Sequence, residues 1–370
     1  MFHRRDFGRR LFAVAAGFTA HQLVGADQAS ADVPWLDEVQ LVPATLPPEA
    51  PQLSPVLADA QGQPLRTKEQ WLGRRQELRQ AWHSILGSLG LDESFVPSLK
   101  VLHEDRDDGV VRQLVQYEVE PGILTEAYVL SPLRPSGTCP GVAVFHSTVN
   151  HSITQPAGLG KDAEKAFGLK LAKRGAVAIC PRNYLWPDNT HIAAAEEAAR
   201  FLERKPQAKG MAKMLYDARM ALNILARLPH VDPQRLGAVG HSLGAKEVLY
   251  LAALDDRVQA TVSSEGGIGL GFSNWDASWY LGPSIKAPGF AHDHHELLAL
   301  VAPRAFLLVG GESADGDRGW PYLQRAMPVY RLYSNRPRLG FYNHRRGHAV
   351  PPEAEQRIAE WLETYLGMRG

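Results

Sequence analysis

The sequence predicts a doubly wound α/β fold, in which helices cover both faces of a mostly parallel sheet. Five short apolar runs recur between residues 141 and 312, and helical stretches separate most of them. Strands that are buried on both faces have such near-continuous apolar sequences, and their alternation with helices is typical of a parallel sheet. Two longer extended runs precede this region, so we expect an antiparallel portion on the N-terminal side of the sheet.

The first 31 residues have the organisation of an export signal. Paired arginines, Arg4 and Arg5, precede Phe7 and a short apolar stretch, and the small residues "ASA" follow at 29–31. A basic region, an apolar region and a small-residue cleavage site define a signal peptide, and the arginine pair favours the twin-arginine route. The apolar stretch is too short to span a membrane. We predict cleavage after residue 31 and a periplasmic or secreted protein, with a basic disordered tail as the alternative.

Residues 32–100 form an N-terminal leader and helix, and residues 101–370 the main domain. The first part, 32–66, is rich in proline and lacks periodicity, which predicts a leader that packs on the domain surface. Helical spacing of apolar residues, including Trp71 and Trp82, follows within residues 67–90. The extended runs "VVRQLVQYEVE" and "LTEAYVLSP" flank a Pro-Gly pair, as expected for a β-hairpin.

The elements of the main domain follow from the same patterns. Apolar runs predict strands within residues 141–147, 175–182, 235–242, 258–267 and 304–312, and helical spacing predicts helices within 161–174, 190–228 and 243–254. A last strand and loop at 338–348 and a helix at 352–366 close the chain.

The composition argues against two classes of partner. Lysine plus arginine and aspartate plus glutamate number 40 each, so no excess of charge favours nucleic acid or an anionic membrane. The two cysteines, Cys139 and Cys180, lie near predicted strands. They are interpreted as small buried hydrophobic residues, and a disulfide between them stays open.

A candidate nucleophile lies where an apolar run turns into a helix. Gly240-His241-Ser242-Leu243-Gly244 has the form Gly-x-Ser-x-Gly, with "LGAV" before it and "AKEVLYLAAL" after it. In this strand-turn-helix context the motif is the nucleophile elbow, which exposes the serine hydroxyl above the sheet. The helix N-terminus behind it favours developing negative charge. A serine that merely caps an ordinary helix is the alternative.

Serine chemistry needs a base, and the sequence offers two histidines after the last strand. A serine hydroxyl is a poor nucleophile at neutral pH until a base within hydrogen-bond distance takes its proton. In this fold the order along the chain is serine, acid, histidine. His348 follows the last predicted strand, directly before the last helix, and is our candidate base. His344 is expected within the strand, as a surface or supporting residue.

The acid that orients the base stays open between two positions. Glu265 ends the run at 258–267, and Glu312, Asp315 and Asp317 follow the run at 304–312. The usual position in the fold favours Asp315. Whichever carboxylate faces His348 is expected to be ionised and hydrogen-bonded, because burying an unpaired carboxylate is costly.

An oxyanion hole needs two backbone N–H groups near the nucleophile. One is expected from Leu243, the residue after the serine. The other is expected from Ser147 or Thr148, in the loop after the strand at 141–147. His146 precedes them, and we expect it to shape this loop and to contribute to the substrate site.

Residues 141–365 resemble the α/β-hydrolase superfamily, and within it the dienelactone-hydrolase-type and acetyl-xylan-esterase-type proteins. They also resemble the glucuronoyl esterases, which cleave esters of 4-O-methyl-glucuronate. Three segments carry this closer likeness: Ser242 to Lys246, "SSEGG" around Glu265, and "HDHHELLALVAPR" at 292–304. The resemblance implies that Glu265 is the acid and that Lys246 contacts the substrate.

The sequence departs from the glucuronoyl-esterase pattern beside the serine. That family has an arginine directly after the serine, where it assists the oxyanion, but this chain has Leu243. Ala245 also separates the glycine from the lysine, although Lys246 keeps its distance from the serine. The likeness to the superfamily is therefore broader than the likeness to the glucuronoyl esterases.

An aromatic insertion at residues 266–296 follows Glu265 and lies at the edge of the sheet where ligands bind in open α/β folds. Trp275 and Trp279 are candidates for stacking on sugar rings, and a lid with its own small core is the alternative. The histidines at 292, 294 and 295 are crowded, but neighbouring residues converge poorly on one ion. We expect no metal, and one of these histidines is expected to fasten the insertion.

The sequence therefore predicts an exported serine carboxylic ester hydrolase that acts through an acyl-enzyme on Ser242. The expected partner is a small-molecule or polysaccharide ester, with an acetyl or glucuronoyl ester linked to carbohydrate as the favoured case. No cofactor, nucleic acid or membrane span is expected. A serine peptidase of the same fold and a non-catalytic carbohydrate-binding relative are the alternatives.

Overall fold

The structure, a computed structural model, describes residues 32–135 and 137–368, and its framework is one twisted sheet. The described strands are β1 (Lys100–Asp107), β2 (Val110–Glu120), β3 (Ile123–Pro132), β4 (Cys139–Phe145), β5 (Val177–Pro181), β6 (Val231–His241), β7 (Val258–Ser264), β8 (Ala305–Gly310) and β9 (Leu339–Asn343). Their order across the sheet is β1-β2-β3-β5-β4-β6-β7-β8-β9. The signal peptide predicted at 1–31 lies outside the described residues.

The direction of the strands confirms the predicted fold class. β1, β2 and β3 pair antiparallel with one another, and β3 pairs antiparallel with β5. All pairs from β5 to β9 are parallel. The sheet is therefore mostly parallel with an antiparallel N-terminal portion, and the C-terminal ends of β4, β6, β7 and β8 meet at one edge.

Helices cover both faces of this sheet. They are α1 (Lys68–Leu86), α2 (Phe167–Lys173), α3 (Ala194–Arg204), α4 (Gly210–Leu225), α5 (Leu243–Leu254), α6 (His295–Val301), α7 (Trp320–Arg331) and α8 (Pro352–Leu366). In β4, Val142 and Val144 pack in the cluster that contains α2 and α8, whereas Ala143 and Phe145 pack in the cluster that contains α4 and α5. Alternate residues thus serve two cores, which explains the continuous apolar run.

The proline-rich leader packs on the domain, as expected. Trp35 is 7 % exposed, and its ring stacks on Trp361 of α8 with 5.7 Å between the ring centroids. Its Nε1 donates a hydrogen bond of 2.6 Å to Glu360. The leader thereby extends the core on the α2 and α8 side of the sheet.

The sequence prediction missed α6 and α7, and two further elements differ from it. β1 was not predicted, because this edge strand is exposed along nearly its whole length and has no apolar alternation. The helical pattern at 190–228 is two helices, since α3 ends at Arg204 and α4 begins at Gly210. Pro206 explains the break, because the residue before a proline is disfavoured in helical conformation.

Two further features bear on the chemistry of the chain. Cys139 and Cys180 are both free and buried, so the structure contains no disulfide between them. Burial raises the pKa of the Cys180 thiol, which keeps it protonated. Within residues 32–135 and 137–368, no helix has both the length and the apolar character needed to cross a bilayer.

Candidate active site

Ser242 occupies a strained turn between β6 and α5. Its backbone has φ 58° and ψ −114°, a conformation that is costly for a residue with a side chain. The flanking glycines are required, because a Cβ on Gly240 would overlap the backbone of Gly244, and a Cβ on Gly244 would overlap Phe145. The motif thus adopts the elbow geometry that the sequence predicted, and Ser242 lines the cavity described below.

His348 lies in the loop between β9 and α8, and its imidazole contacts one of the two candidate acids. His348 Nδ1 is 3.1 Å from Oε2 of Glu265. The His348 side chain is 44 % exposed, whereas that of Glu265 is fully buried. Ser242 and His348 line the same cavity but form no hydrogen bond with each other. Such bonds are often long in ligand-free enzymes and tighten when substrate binds.

Glu265 directly follows β7, and backbone donors hold its side chain in place. Its own backbone is left-handed, with φ 56°. Oε1 accepts a hydrogen bond from Gly311 N, and Oε2 accepts one of 2.8 Å from Ala314 N. These donors come from the turn that follows β8. The neighbouring strand therefore fixes the orientation of the carboxylate that meets His348.

Asp315, the other candidate acid, does not contact His348. Its two oxygens accept hydrogen bonds of 2.8 Å from Gly267 N and 2.7 Å from Ile268 N. It is completely buried. Burial raises its pKa to about 6, although these two N–H groups oppose that shift. Asp315 thus fastens the start of the insertion, because both of its carboxylate oxygens accept hydrogen bonds from the backbone there.

The remaining candidates after β8 and β9 also point away from His348. His344 is buried directly after β9, and its Nδ1 accepts a hydrogen bond of 3.1 Å from Arg346 N. Asp317 and Glu312 accept hydrogen bonds from Asn343. They form a surface network that supports the His348 loop.

The predicted oxyanion donors differ in their availability. Leu243 and Thr148 both line the cavity beside Ser242. Ser147 does not serve this purpose, because its N–H donates to Oε1 of Gln155 at 2.9 Å. No acceptor for the N–H of Leu243 or Thr148 is present among the described residues. Of the two alternatives for the second donor, the geometry leaves Thr148.

His146 shapes the oxyanion loop and does not reach the cavity. It is 1 % exposed, and its Nε2 accepts a hydrogen bond of 3.2 Å from Asn183 N. Nδ1 therefore carries the proton and donates to the carbonyl of Ser147 at 2.8 Å. Burial lowers its pKa to about 4, so the ring is neutral. The expectation that it also contacts substrate is wrong, since both nitrogens are occupied.

His241 is a residue that the sequence interpretation missed, although it directly precedes Ser242. It is 1 % exposed, and its Nδ1 lies 3.1 Å from Oγ of Ser147. Its ring packs against the ring of His348, with 4.6 Å between centroids. Its place inside the motif was the available signal.

The candidate site is a cavity of about 220 Å³ at the C-terminal edge of the parallel strands. Ser242, Glu265 and His348 all line it. The rest of the lining is Thr148, Leu185, Ile192, Ala194, Leu243, Lys246, Gly266, Ser273, Asn274, Trp279, Tyr280 and Ala314. Larger cavities of about 750 Å³ and 420 Å³ occur elsewhere, but none of the candidate residues lines them.

Lys246 is a buried amine whose Nζ has no hydrogen-bond acceptor within the described part of the chain. It is 4 % exposed, and its Nζ lies 3.8 Å from the ring centroid of Trp275 and 5.0 Å from that of Tyr280. Burial lowers its pKa to about 7, and Asp315 partly opposes that shift. A ligand with hydroxyl or carbonyl oxygens would supply the missing acceptor.

The two tryptophans of the insertion have different environments. Trp275 is 1 % exposed, and its Nε1 donates to Gly267 O at 2.8 Å. It supports Lys246 from below, so the expectation that it stacks on a substrate is wrong. Trp279 is partly exposed and lines the cavity.

One histidine of the crowded cluster fastens the insertion, as expected. His294 Nε2 lies 2.8 Å from the hydroxyl of Tyr250, and Nδ1 lies 2.7 Å from Ile268 O. Asp293 accepts a hydrogen bond of 2.8 Å from Tyr322. Among the described residues, no three histidine, cysteine or carboxylate side chains are grouped as a metal site would require.

The sheet order, the elbow and the insertion above the strand ends define the α/β-hydrolase fold. Residues 125–292 match the model of the dienelactone hydrolase family. The matched region contains Ser242 and Glu265 and ends before His348.

Individual relatives agree with this classification. Bacillus subtilis YtaP, described only as a hydrolase, is 26 % identical over 64 % of this chain and 80 % of that protein. A 4-O-methyl-glucuronoyl methylesterase of Neurospora crassa is 26 % identical over 37 % of this chain, a match that spans only 42 % of that enzyme. The glucuronoyl esterase of Solibacter usitatus superposes with a TM-score of 0.69 at 16 % identity, covering 87 % of this chain and 99 % of that one. The family domain and these relatives identify a carboxylic ester hydrolase, which confirms that prediction.

Proposed function

We propose that the protein is an exported serine esterase that cleaves a carbohydrate-linked ester through an acyl-enzyme on Ser242. The observation that carries this proposal is the hydrogen bond of 3.1 Å between Glu265 and His348 beside the elbow serine. It supports a triad in which Ser242 is the nucleophile, His348 the base and Glu265 the acid. The order of these residues along the chain is that of the fold.

The reaction then has two halves. Ser242 Oγ attacks the ester carbonyl carbon while His348 Nε2 takes the hydroxyl proton. The tetrahedral intermediate collapses, the C–O bond to the alcohol breaks, and His348 returns the proton to the leaving oxygen. A water molecule, deprotonated by His348, attacks the acyl-enzyme, and the carboxylic acid product leaves as Ser242 regains its proton. Glu265 stabilises the imidazolium in both halves.

Backbone groups alone stabilise the oxyanion in this proposal. The donors are the N–H groups of Leu243 and Thr148, and the N-terminus of α5 adds a favourable dipole. Leu243 has no charge to contribute, whereas the glucuronoyl-esterase pattern has an arginine at this place. We therefore expect slower turnover per bound ester than an added cation would give.

The walls of the cavity support a polar acyl or alcohol part. Lys246, Ser273 and Asn274 are among the residues that line it, and Nζ of Lys246 lacks an acceptor among the described residues. Sugar hydroxyls satisfy such donors, and Trp279 offers a partly exposed ring beside them. The names of the Neurospora crassa and Solibacter usitatus relatives make a uronate ester the first substrate to test, with an acetylated sugar second.

Export rests on the arginine pair Arg4 and Arg5 and the following apolar stretch. If the first 31 residues are a cleaved signal, secreted material begins at Asp32. Replacing both arginines by lysine should then retain the protein in the cytoplasm. Secreted protein that still begins at Met1 would contradict this part of the proposal.

The activity is tested with Ser242→Ala on methyl glucuronate, acetylated xylan, p-nitrophenyl acetate and a peptide. We expect kcat/KM on the ester substrates to fall by at least about 10³-fold, because the nucleophile is lost. Ser88→Ala, an exposed serine beyond the end of α1, is the matched control and should retain full activity. Near-normal ester hydrolysis by Ser242→Ala would exclude the mechanism. Cleavage of the peptide by the wild-type protein at a higher kcat/KM than that of the esters would favour a peptidase.

A further inference from the structure

His241 connects the two halves of the candidate site. It lies at the end of β6, directly before the nucleophile, and is 1 % exposed. On one side its Nδ1 is 3.1 Å from Oγ of Ser147, and on the other its ring meets that of His348 at 4.6 Å and 61°. Its Nε2 has no hydrogen-bond partner among the described residues. A buried imidazole in this position contacts both the oxyanion loop and the base.

The groups that face His241 keep it neutral. Burial is the main cause of a pKa well below the ordinary value, and repulsion from His348, Lys165 and His344 acts in the same direction. The backbone of His348 opposes this shift, and no carboxylate does so. A neutral ring can remain beside His348 when that residue becomes an imidazolium, whereas a charged ring would repel it.

The contact with Ser147 completes the bonding of the oxyanion loop. The N–H of Ser147 is held by Gln155, and its carbonyl is held by His146. His241 takes the remaining polar group, the side-chain hydroxyl. With all three groups fixed, the next peptide unit, which carries the N–H of Thr148, has a defined direction.

We propose that His241 is a positioning residue that holds the His348 ring against Glu265 and, through Ser147, directs the N–H of Thr148 towards the oxyanion. The inference rests on the proposed function, because both of its partners act in that mechanism. His241 does not line the cavity, so it acts through its neighbours. Its effect is therefore on turnover and on the protonation of His348.

Three variants separate the two contacts. His241→Phe keeps a ring against His348 and removes the bond to Ser147. Ser147→Ala removes the same bond from the other side at the cost of a single oxygen atom. His241→Gln keeps a polar group near Ser147 and removes the ring.

The expected results differ between these variants. His241→Phe and Ser147→Ala should each lower kcat on p-nitrophenyl acetate about tenfold with little change in KM. The kcat of the double variant should be no lower than that of the less active single variant, because the effects of two residues that share one contact do not add. His241→Gln raises the pH of the acid limb of kcat/KM, since water replaces the ring and stabilises the imidazolium of His348. His241→Phe leaves that limb unchanged.

Labelling with a fluorophosphonate ester, which reacts only with an activated serine, counts the active sites. It also distinguishes a failure of the proposed function from a failure of the inference about His241. If wild-type Ser242 is not labelled, the proposed function and this inference both fall. If the wild type is labelled and the variants lose thermal stability but keep normal kcat per labelled site and a normal pH profile, His241 is purely structural. Additive losses in the double variant would also overturn the coupling. Ser147→Ala keeps the test decisive if the His241 variants do not fold.

Discussion

Replacing Glu265 by glutamine tests whether this residue is the acid of the proposed triad, because it exchanges one carboxylate oxygen for an NH₂ group. In the native structure Oε1 accepts from Gly311 N, whereas Oε2 accepts from Ala314 N and faces His348 Nδ1. A glutamine has one oxygen and one NH₂ group for these two positions. Either orientation therefore places the NH₂ group against a backbone N–H.

The two orientations have different consequences for turnover. If the NH₂ group faces Ala314 and His348, the imidazole must accept through Nδ1 and carry its proton on Nε2, the wrong tautomer for taking a proton from Ser242. That tautomer costs up to about 10⁴-fold in kcat in comparable triads. If the NH₂ group faces Gly311, the tautomer survives, but a buried donor is unsatisfied at a cost of about 1–3 kcal/mol. The charge that stabilises the imidazolium is lost in both cases.

We therefore expect Glu265→Gln to reduce kcat on p-nitrophenyl acetate by about 10³-fold to 10⁴-fold, with KM nearly unchanged. Asp315→Asn is the matched comparison, because it removes a buried carboxylate from the turn that follows the neighbouring strand β8. It creates the same kind of donor conflict at Gly267 or Ile268, so it should lower the melting temperature and reduce kcat per folded molecule by less than about tenfold. Kinetics are normalised to active sites by fluorophosphonate labelling of the wild type and to folded protein by circular dichroism for the variants. Collapse of turnover in Asp315→Asn alone would refute the assignment, and losses of only a few-fold in each would indicate a shared role.

Three other outcomes follow from the described contacts. Burial lowers the pKa of Lys246 to about 7 from 10.5, so the unfolded state binds more protons than the folded state between these pH values. The free energy of unfolding should therefore rise with pH across that window, by at most about 5 kcal/mol. Urea titrations at pH 6, 8 and 10 should show this rise in the wild type and a flatter dependence in Lys246→Met. Gly244→Ala should lower both the melting temperature and turnover sharply, because the new methyl group overlaps Phe145 behind the nucleophile; unchanged kinetics would contradict the elbow geometry. Trp35→Ala should destabilise the protein by about 3 kcal/mol while kcat per folded molecule stays normal, since its stack on Trp361 lies in the core on the other side of the sheet; calorimetry and esterase assays check this together.

The sequence predicted the residues whose roles depend on order along the chain. Ser242 and His348 could be selected because a strand-turn-helix motif and a histidine before the last helix are local patterns. The choice between Glu265 and Asp315 could not be made from the residues alone. Both follow neighbouring strands at the same edge, and the difference is which backbone donors each carboxylate meets.

The packing inside the insertion could not be predicted from the sequence either. Trp275 and Trp279 lie four residues apart in a segment without regular periodicity, and only the fold shows that the first is buried under Lys246. Ser147 and Thr148 are neighbours with equivalent backbone groups, but Gln155 occupies one of them. His241 was missed because the motif treats its position as variable.

The turn at residues 311–315 has two structural roles, and both must be kept if the loops above the cavity are exchanged. Its backbone holds Glu265, and the side chain of Asp315 at its end holds Gly267 and Ile268. The insertion is fastened again at its far end by His294. A designer who grafts new specificity loops onto this scaffold should therefore splice within residues 269–291 and leave both fastenings intact. Trp275 would also have to be kept, because its ring packs against Lys246. Within those limits, the loop can be exchanged while the carboxylate beside it stays in place.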